Sequence, residues 1–221
     1  MDICRNGTRL LLLLLITGPA ALAAGGPPML GDARQIGEAH SVIELFAADL
    51  NADGRDDLIT ARNNRGGRFI EVFVARPDGT FARMQTLSTP GPTRVADCTG
   101  DGRPDLVCFE DSSDSGAVVF QGRGDGTFGA AVVTPVDGFY VLCQTADFNS
   151  DGRPDLLLAR DELTRDHEIA VMLALPGGRF EQPITIPDSS YYYAIVAADF
   201  DDDGMLDVLT GVSPLPHGGA T

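Results

Sequence analysis

One segment recurs four times along the 221-residue chain, as AADLNADGRDDLIT, VADCTGDGRPDLVC, TADFNSDGRPDLLL and AADFDDDGMLDVLT. The first Asp of each copy is Asp49, Asp97, Asp147 and Asp199, separated by 48, 50 and 52 residues. A period near fifty suits propeller blades and exceeds that of leucine-rich or paired-helix repeats. A second marker keeps the same phase. Gly79-Thr80-Phe81, Gly126-Thr127-Phe128 and Gly178-Arg179-Phe180 lie 30, 29 and 31 residues after the corresponding Asp.

Between markers the chain alternates short β-branched and apolar runs with Gly, Pro, Asn and Asp, the pattern of strands and turns. In the second unit the strands are predicted at Thr93 to Ala96, Leu106 to Phe109, Ala117 to Gln121 and Phe128 to Thr134. Four strands per unit make a propeller blade. No stretch of ten residues carries capped helical spacing, and Gly 26 with Pro 14 fits a turn-rich β protein. The predicted fold class is therefore all-β: three complete four-stranded blades plus a partial fourth, in an open arc or an imperfectly closed propeller. The fourth unit has a strand at Leu206 to Thr210 but no Gly-Thr-Phe marker after it. Residues 24–40, with Met29, Leu30 and Ile36, supply at most one further strand. An open arc exposes strand edges, so self-association or a partner that completes the propeller is expected.

Residues 1–23 read as a secretory signal: Arg5 and Arg9, the apolar run Leu10 to Ile16, then Ala21-Leu22-Ala23, with cleavage after Ala23. The expected organisation is a signal peptide over 1–23, an N-terminal segment over 24–40 and a repeat region over 41–221. The expected location is secreted, extracellular or periplasmic, with no membrane insertion once the signal is removed. Cys4 leaves with the leader, and the odd number left, Cys98, Cys108 and Cys143, have apolar neighbours that suit buried thiols.

Asp and Glu number 32 against 16 basic residues, a formal charge of −16 that repels phosphate backbones and argues against nucleic acid as a partner. The acids cluster in the repeated segment. Oxygen-bearing side chains fall at positions 1, 3, 5 and 9: Asp49, Asn51, Asp53 and Asp57; Asp97, Thr99, Asp101 and Asp105; Asp147, Asn149, Asp151 and Asp155; Asp199, Asp201, Asp203 and Asp207. A Gly at position 6 allows a sharp turn, after which the carbonyl of position 7 (Arg55, Arg103, Arg153, Met205) can join the set. Carboxylate, amide and carbonyl oxygens without His or Cys suit Ca²⁺, up to four ions. An EF-hand is excluded because position 12 is Thr60, Cys108, Leu158 or Thr210 rather than Glu, and strands flank the loop. Thr99 makes the second loop the weakest candidate, and Asp201 makes the fourth the most charge-dense.

The pattern D-x-[DN]-x-D-G-x-x-D-L followed by G-T-F resembles the FG-GAP or VCBS repeat of integrin α-subunit propellers and of many secreted bacterial proteins. The resemblance covers residues 41–211. It implies that the acidic loop joins the first and second strands of a blade and binds Ca²⁺ through the residues named above. The departures are Thr99, Met205-Leu206, and Phe128-Gly129-Ala130 in place of a literal Gly-Ala-Pro.

Arg123-Gly124-Asp125 sits inside the turn GRGDGTF, whose recurrence in RPDGTF marks it as structural. The histidines are His40, His167 and His217, with no nucleophile elbow and no HExxH. Carboxylates gathered on a cation stay ionised and make poor general acids, so no catalytic residue is expected. Aromatic residues just before first strands, Phe139, Tyr140, Tyr191 and Tyr192, either pack between blades or form a stacking platform. By the resemblance they share the face opposite the calcium loops with the connection that carries His167. The expected function is a calcium-binding adhesion or binding module for a protein or glycan. The alternatives are a non-catalytic propeller region of a larger secreted polysaccharide lyase or hydrolase, or a structural spacer.

Overall fold

A computed structural model of the chain describes residues 13–14, 34–35, 42–64, 67–89, 91, 93–110, 116–136, 140–160, 168–187 and 192–212, with backbone alone at 13–14, 34–35, 63–64, 110, 141–143, 160, 187, 192–193 and 212. The described residues form strands, turns and bends, with no helix. Two short strands, β1 (Leu13–Leu14) and β2 (Arg34–Gln35), pair with each other. The repeats follow.

The first blade is β3 (Val42–Ala48), β4 (Asp57–Asn64), β5 (Gly67–Ala75) and β6 (Phe81–Thr89), antiparallel in chain order. The second is β7 (Thr93–Ala96), β8 (Asp105–Glu110), β9 (Gly116–Gly122) and β10 (Phe128–Pro135). The third is β11 (Tyr140–Ala146), β12 (Asp155–Arg160), β13 (Glu168–Met172) and β16 (Ile184–Pro187), with a small hairpin, β14 (Ala174–Leu175) and β15 (Arg179–Phe180), between its last two strands. Among the described residues the fourth has β17 (Tyr192–Ala198) and β18 (Asp207–Val212) alone. First strands of successive sheets lie beside one another, and the arrangement is an open arc of propeller blades rather than a closed ring.

Alternation along the second strand of each blade creates the joints. Leu106 and Cys108 turn toward the first blade, where they join Ile59, Ile70 and Val72 in one buried cluster. Val107 and Phe109 turn the other way and pack with Leu156, Leu158 and Met172 of the third blade. Leu157 and Ala159 then face Ile195 of the fourth. Each cluster is therefore an inter-blade core, built because a half-buried strand presents alternate residues to opposite faces.

The Gly-Thr-Phe turns lock these joints. Phe128 is buried in the first joint, its N–H donating to Gln85 Oε1 (2.7 Å) while Gln85 Nε2 donates to the Phe128 carbonyl (3.1 Å). Gly126 donates to the Leu50 carbonyl, and a Cβ at Gly126 would lie 2.3 Å from Val74 Cγ2. In the next joint, Gln121 Nε2 donates to the Gly177 carbonyl (3.0 Å) and Phe180 N–H to Thr134 Oγ1 (3.1 Å).

The two outer faces of the arc differ. Glu71 occupies the register position that Val118 fills in the second blade, so it faces outward, and Arg62 (3.2 Å) and Arg83 (2.9 Å) pair with it. At the other end Leu209, matching the buried Ile59, Val107 and Leu157, is 59% exposed, and Phe200 is 56% exposed.

Candidate metal centre

Each acidic loop joins the first and second strands of its blade, so all four lie at one end of the sheets. The backbone repeats too. Position 6 is Gly with φ between 80° and 86° (Gly54, Gly102, Gly152, Gly204), and position 4 is also left-handed, at Ala52 (57°), Gly100 (74°), Ser150 (59°) and Asp202 (59°).

The position-1 carboxylate organises the turn. Asp49 Oδ1 accepts the N–H of Asn51 and Asp53, and its Oδ2 accepts that of Gly54 (2.8 Å). Asp97, Asp147 and Asp199 accept in the same way from Gly102, Gly152 and Gly204. These donors favour the charged form, and the Gly54 N–H is the main cause that holds the Asp49 carboxyl below its ordinary value.

Position 9 has a second task that the sequence did not reveal. Asp57 accepts from Leu50 N–H (3.0 Å) and, with its other oxygen, from Ala75 N–H (2.8 Å) at the end of the third strand. Asp105 brackets Thr99 and Gly122, and Asp155 brackets Phe148 and Ala174. All three carboxylates are buried, and burial pushes them up against the pull of those N–H donors. Asp207 keeps the first partner, Phe200 N–H (3.0 Å), but β18 has no third strand beside it among the described residues, and Asp207 stays exposed.

Position 5 separates the loops further. Arg55 pairs with Asp53, Arg103 with Asp101 (4.0 Å) and Arg153 with Asp151 (2.5 Å). Arg153 also donates to the Ala174 carbonyl from Nε and Nη2. The fourth loop has Met205 at position 7 in place of Arg, 68% exposed, and Asp203 Oδ1 accepts the Met205 N–H.

Position 3 differs from loop to loop in both residue and partner. Thr99 Oγ1 donates to Asp97 (3.3 Å), and Asn149 Nδ2 donates to Asp151 (2.9 Å). In the fourth loop the residue is Asp201. Asp199, Asp201 and Asp207 each offer a carboxylate oxygen within 4.8 Å of the others, the one such group of His, Cys, Asp or Glu among the described residues. Oxygens on opposite sides of a calcium ion stand about 4.6–5.2 Å apart, so this spacing fits one shared ion. The donor set, all carboxylate and open to solvent, fits a hard divalent cation.

The other sequence candidates fall elsewhere. Tyr140 is not on a ligand-facing surface: it is 1% exposed, edge-on to Phe109 with ring centroids 5.2 Å apart, and its hydroxyl donates to Glu168 (2.9 Å). Strand alternation turns it into the joint between the second and third blades, the packing alternative. Phe139, Tyr191 and His167 lie outside the described residues, as does the side chain of Tyr192. Cys98 and Cys108 are buried in different joints, and the Cys143 side chain is not described.

Comparison with known proteins follows the same period. A family model described as FG-GAP-like repeat matches residues 49–108, 97–158 and 147–210, each match running from one acidic loop into the second strand of the next blade. A search of curated proteins finds no match. The overlapping matches span all four loops and the joints between them, and the chain belongs to the FG-GAP-like repeat family.

Proposed function

We propose that the protein is a secreted, calcium-binding repeat module that binds a protein or glycan rather than transforming it. The observation that carries the reading is the meeting of Asp199, Asp201 and Asp207 on one point, in a loop whose backbone repeats three more times. Calcium would be held by these carboxylates and by the position-7 carbonyl, and would supply charge compensation and rigidity. The same end of the arc then offers a fixed rim to a ligand. Calorimetric titration with CaCl₂ tests the metal reading, which fails if no heat of binding is found in the micromolar to millimolar range. A glycan and protein array run with calcium and with chelator tests the binding role. Hits that appear in calcium alone support it, and turnover of a polysaccharide or ester would replace it with an enzymatic role.

We further propose that the exposed face bearing Val196, Phe200 and Leu209 is covered by a second copy of this chain. Light scattering at rising concentration tests this, and a monomer throughout would overturn it.

A further inference from the structure

The four loops form an internal comparison: one backbone with different counter-ions. Over positions 1 to 9 the formal charge is −3 in the first loop, −2 in the second, −2 in the third and −5 in the fourth. The first three each contain an Arg at position 7 whose guanidinium pairs with the position-5 carboxylate. The fourth has an uncharged, exposed Met205 in that place.

We propose that Arg55, Arg103 and Arg153 are built-in cations that compete with calcium for the position-5 carboxylate, so that the fourth loop is the one tight site and the other three fill at higher calcium. The inference rests on the calcium reading above and adds an order of filling to it. A metal ion entering loops one to three meets a carboxylate already paired, and must share or displace the guanidinium. Arg153 is the firmest competitor because two Ala174 carbonyl bonds anchor it beside Asp151. A metal ion entering loop four meets the converged carboxylates of Asp199, Asp201 and Asp207, with Asp203 at position 5 facing no Arg at position 7. Loops one to three are also braced without metal, since their position-9 carboxylates tie the loop to the end of the third strand or, in the third blade, to the hairpin strand β14 that follows it. The fourth loop keeps the same backbone turn, but among the described residues it lacks this second tie.

A unit positive charge about 6 Å from a divalent ion weakens binding by roughly tenfold in a water-like dielectric and by roughly ten-thousandfold at an effective dielectric near 20. The test is calorimetry and terbium luminescence on the full chain and on two single variants, Met205→Arg and Arg153→Met. Both positions project from turns, and circular dichroism in chelator checks that each variant folds. The expected wild-type isotherm has one tight step followed by weaker ones. Met205→Arg should weaken the tight step about tenfold or more, and Arg153→Met should create a second tight step. Four equal sites, or a tight step unmoved by Met205→Arg, would overturn the order of filling while leaving calcium binding intact. Absence of any binding would overturn both.

Discussion

Asp105→Ala tests whether the position-9 carboxylate is a structural bracket in its own right. Asp105 is fully buried, and its two oxygens accept from Thr99 N–H (3.0 Å) and Gly122 N–H (2.8 Å). Removing the carboxylate strands a buried donor at Gly122, at about 1–3 kcal/mol, and a partly buried one at Thr99, which water relieves in part. The expected loss is about 2–4 kcal/mol, roughly 4–16 °C in melting temperature for a chain of this size. Asp207→Ala is the control, because the same position there is exposed and retains one partner, Phe200 N–H. Its cost without metal should stay within about 0.5 kcal/mol. Denaturant unfolding of both variants in chelator isolates the bracket from any metal contribution. Equal losses for the two would refute the reasoning, as would an Asp105→Ala loss seen only when calcium is present.

Gly126→Ala should destabilise by about 1–3 kcal/mol, since the new methyl would overlap Val74 in the joint between the first two blades; thermal melts check this. Ala52→Gly should stabilise by about 1 kcal/mol by relieving a left-handed residue, and an unchanged or lower midpoint in denaturant would contradict it. Calcium at one hundred times its dissociation constant should add about 2.7 kcal/mol per filled site, read as a rise in melting temperature over chelator. In pH, raised Asp57, Asp105 and Asp155 contribute stability that is present below 3.8 and lost as pH rises through their folded values. Asp49 and Asp151, lowered chiefly by the backbone N–H groups of Gly54 and Arg153, contribute stability present above 3.8 and lost as pH falls through theirs. The metal-free protein should therefore be most stable near pH 4. A steady climb in stability from pH 4 to 7 in chelator would count against this.

Much of the fold was legible because it repeats. The four strands read in the second unit appear at Thr93–Ala96, Asp105–Glu110, Gly116–Gly122 and Phe128–Pro135, each within a residue of expectation or matching it. Period and turn chemistry are local, so four copies reinforce one signal. What escaped was long-range or ambiguous in residue type. Nothing in the sequence says that Gln85 receives Phe128, 43 residues on, or that Asp57 reaches Ala75. Ala52 and Ser150 carry no mark of a left-handed conformation, although their alignment with Gly100 was a clue. Tyr140 could pack or stack by its chemistry alone, and only its pairing with Phe109 decides between them. The sequence pattern offers the carbonyls of the position-7 arginines, but that their guanidinium groups turn back onto the position-5 carboxylates depends on side-chain conformation that the pattern does not carry.

The three largest buried clusters each straddle two blades. A blade is thus half of two cores rather than the owner of one, and its folding is conditional on a neighbour. Stability in such a chain accumulates joint by joint, like a zipper with about fifty residues per tooth. Cleavage between β10 and β11 would expose the Val107–Leu158 joint on both fragments at once, so an isolated unit would begin its existence with a sheet face wet. Lengthening carries no such penalty: a unit inserted by tandem duplication brings a marker turn for the blade before it and a receptive face for the blade after it, so growth preserves every joint.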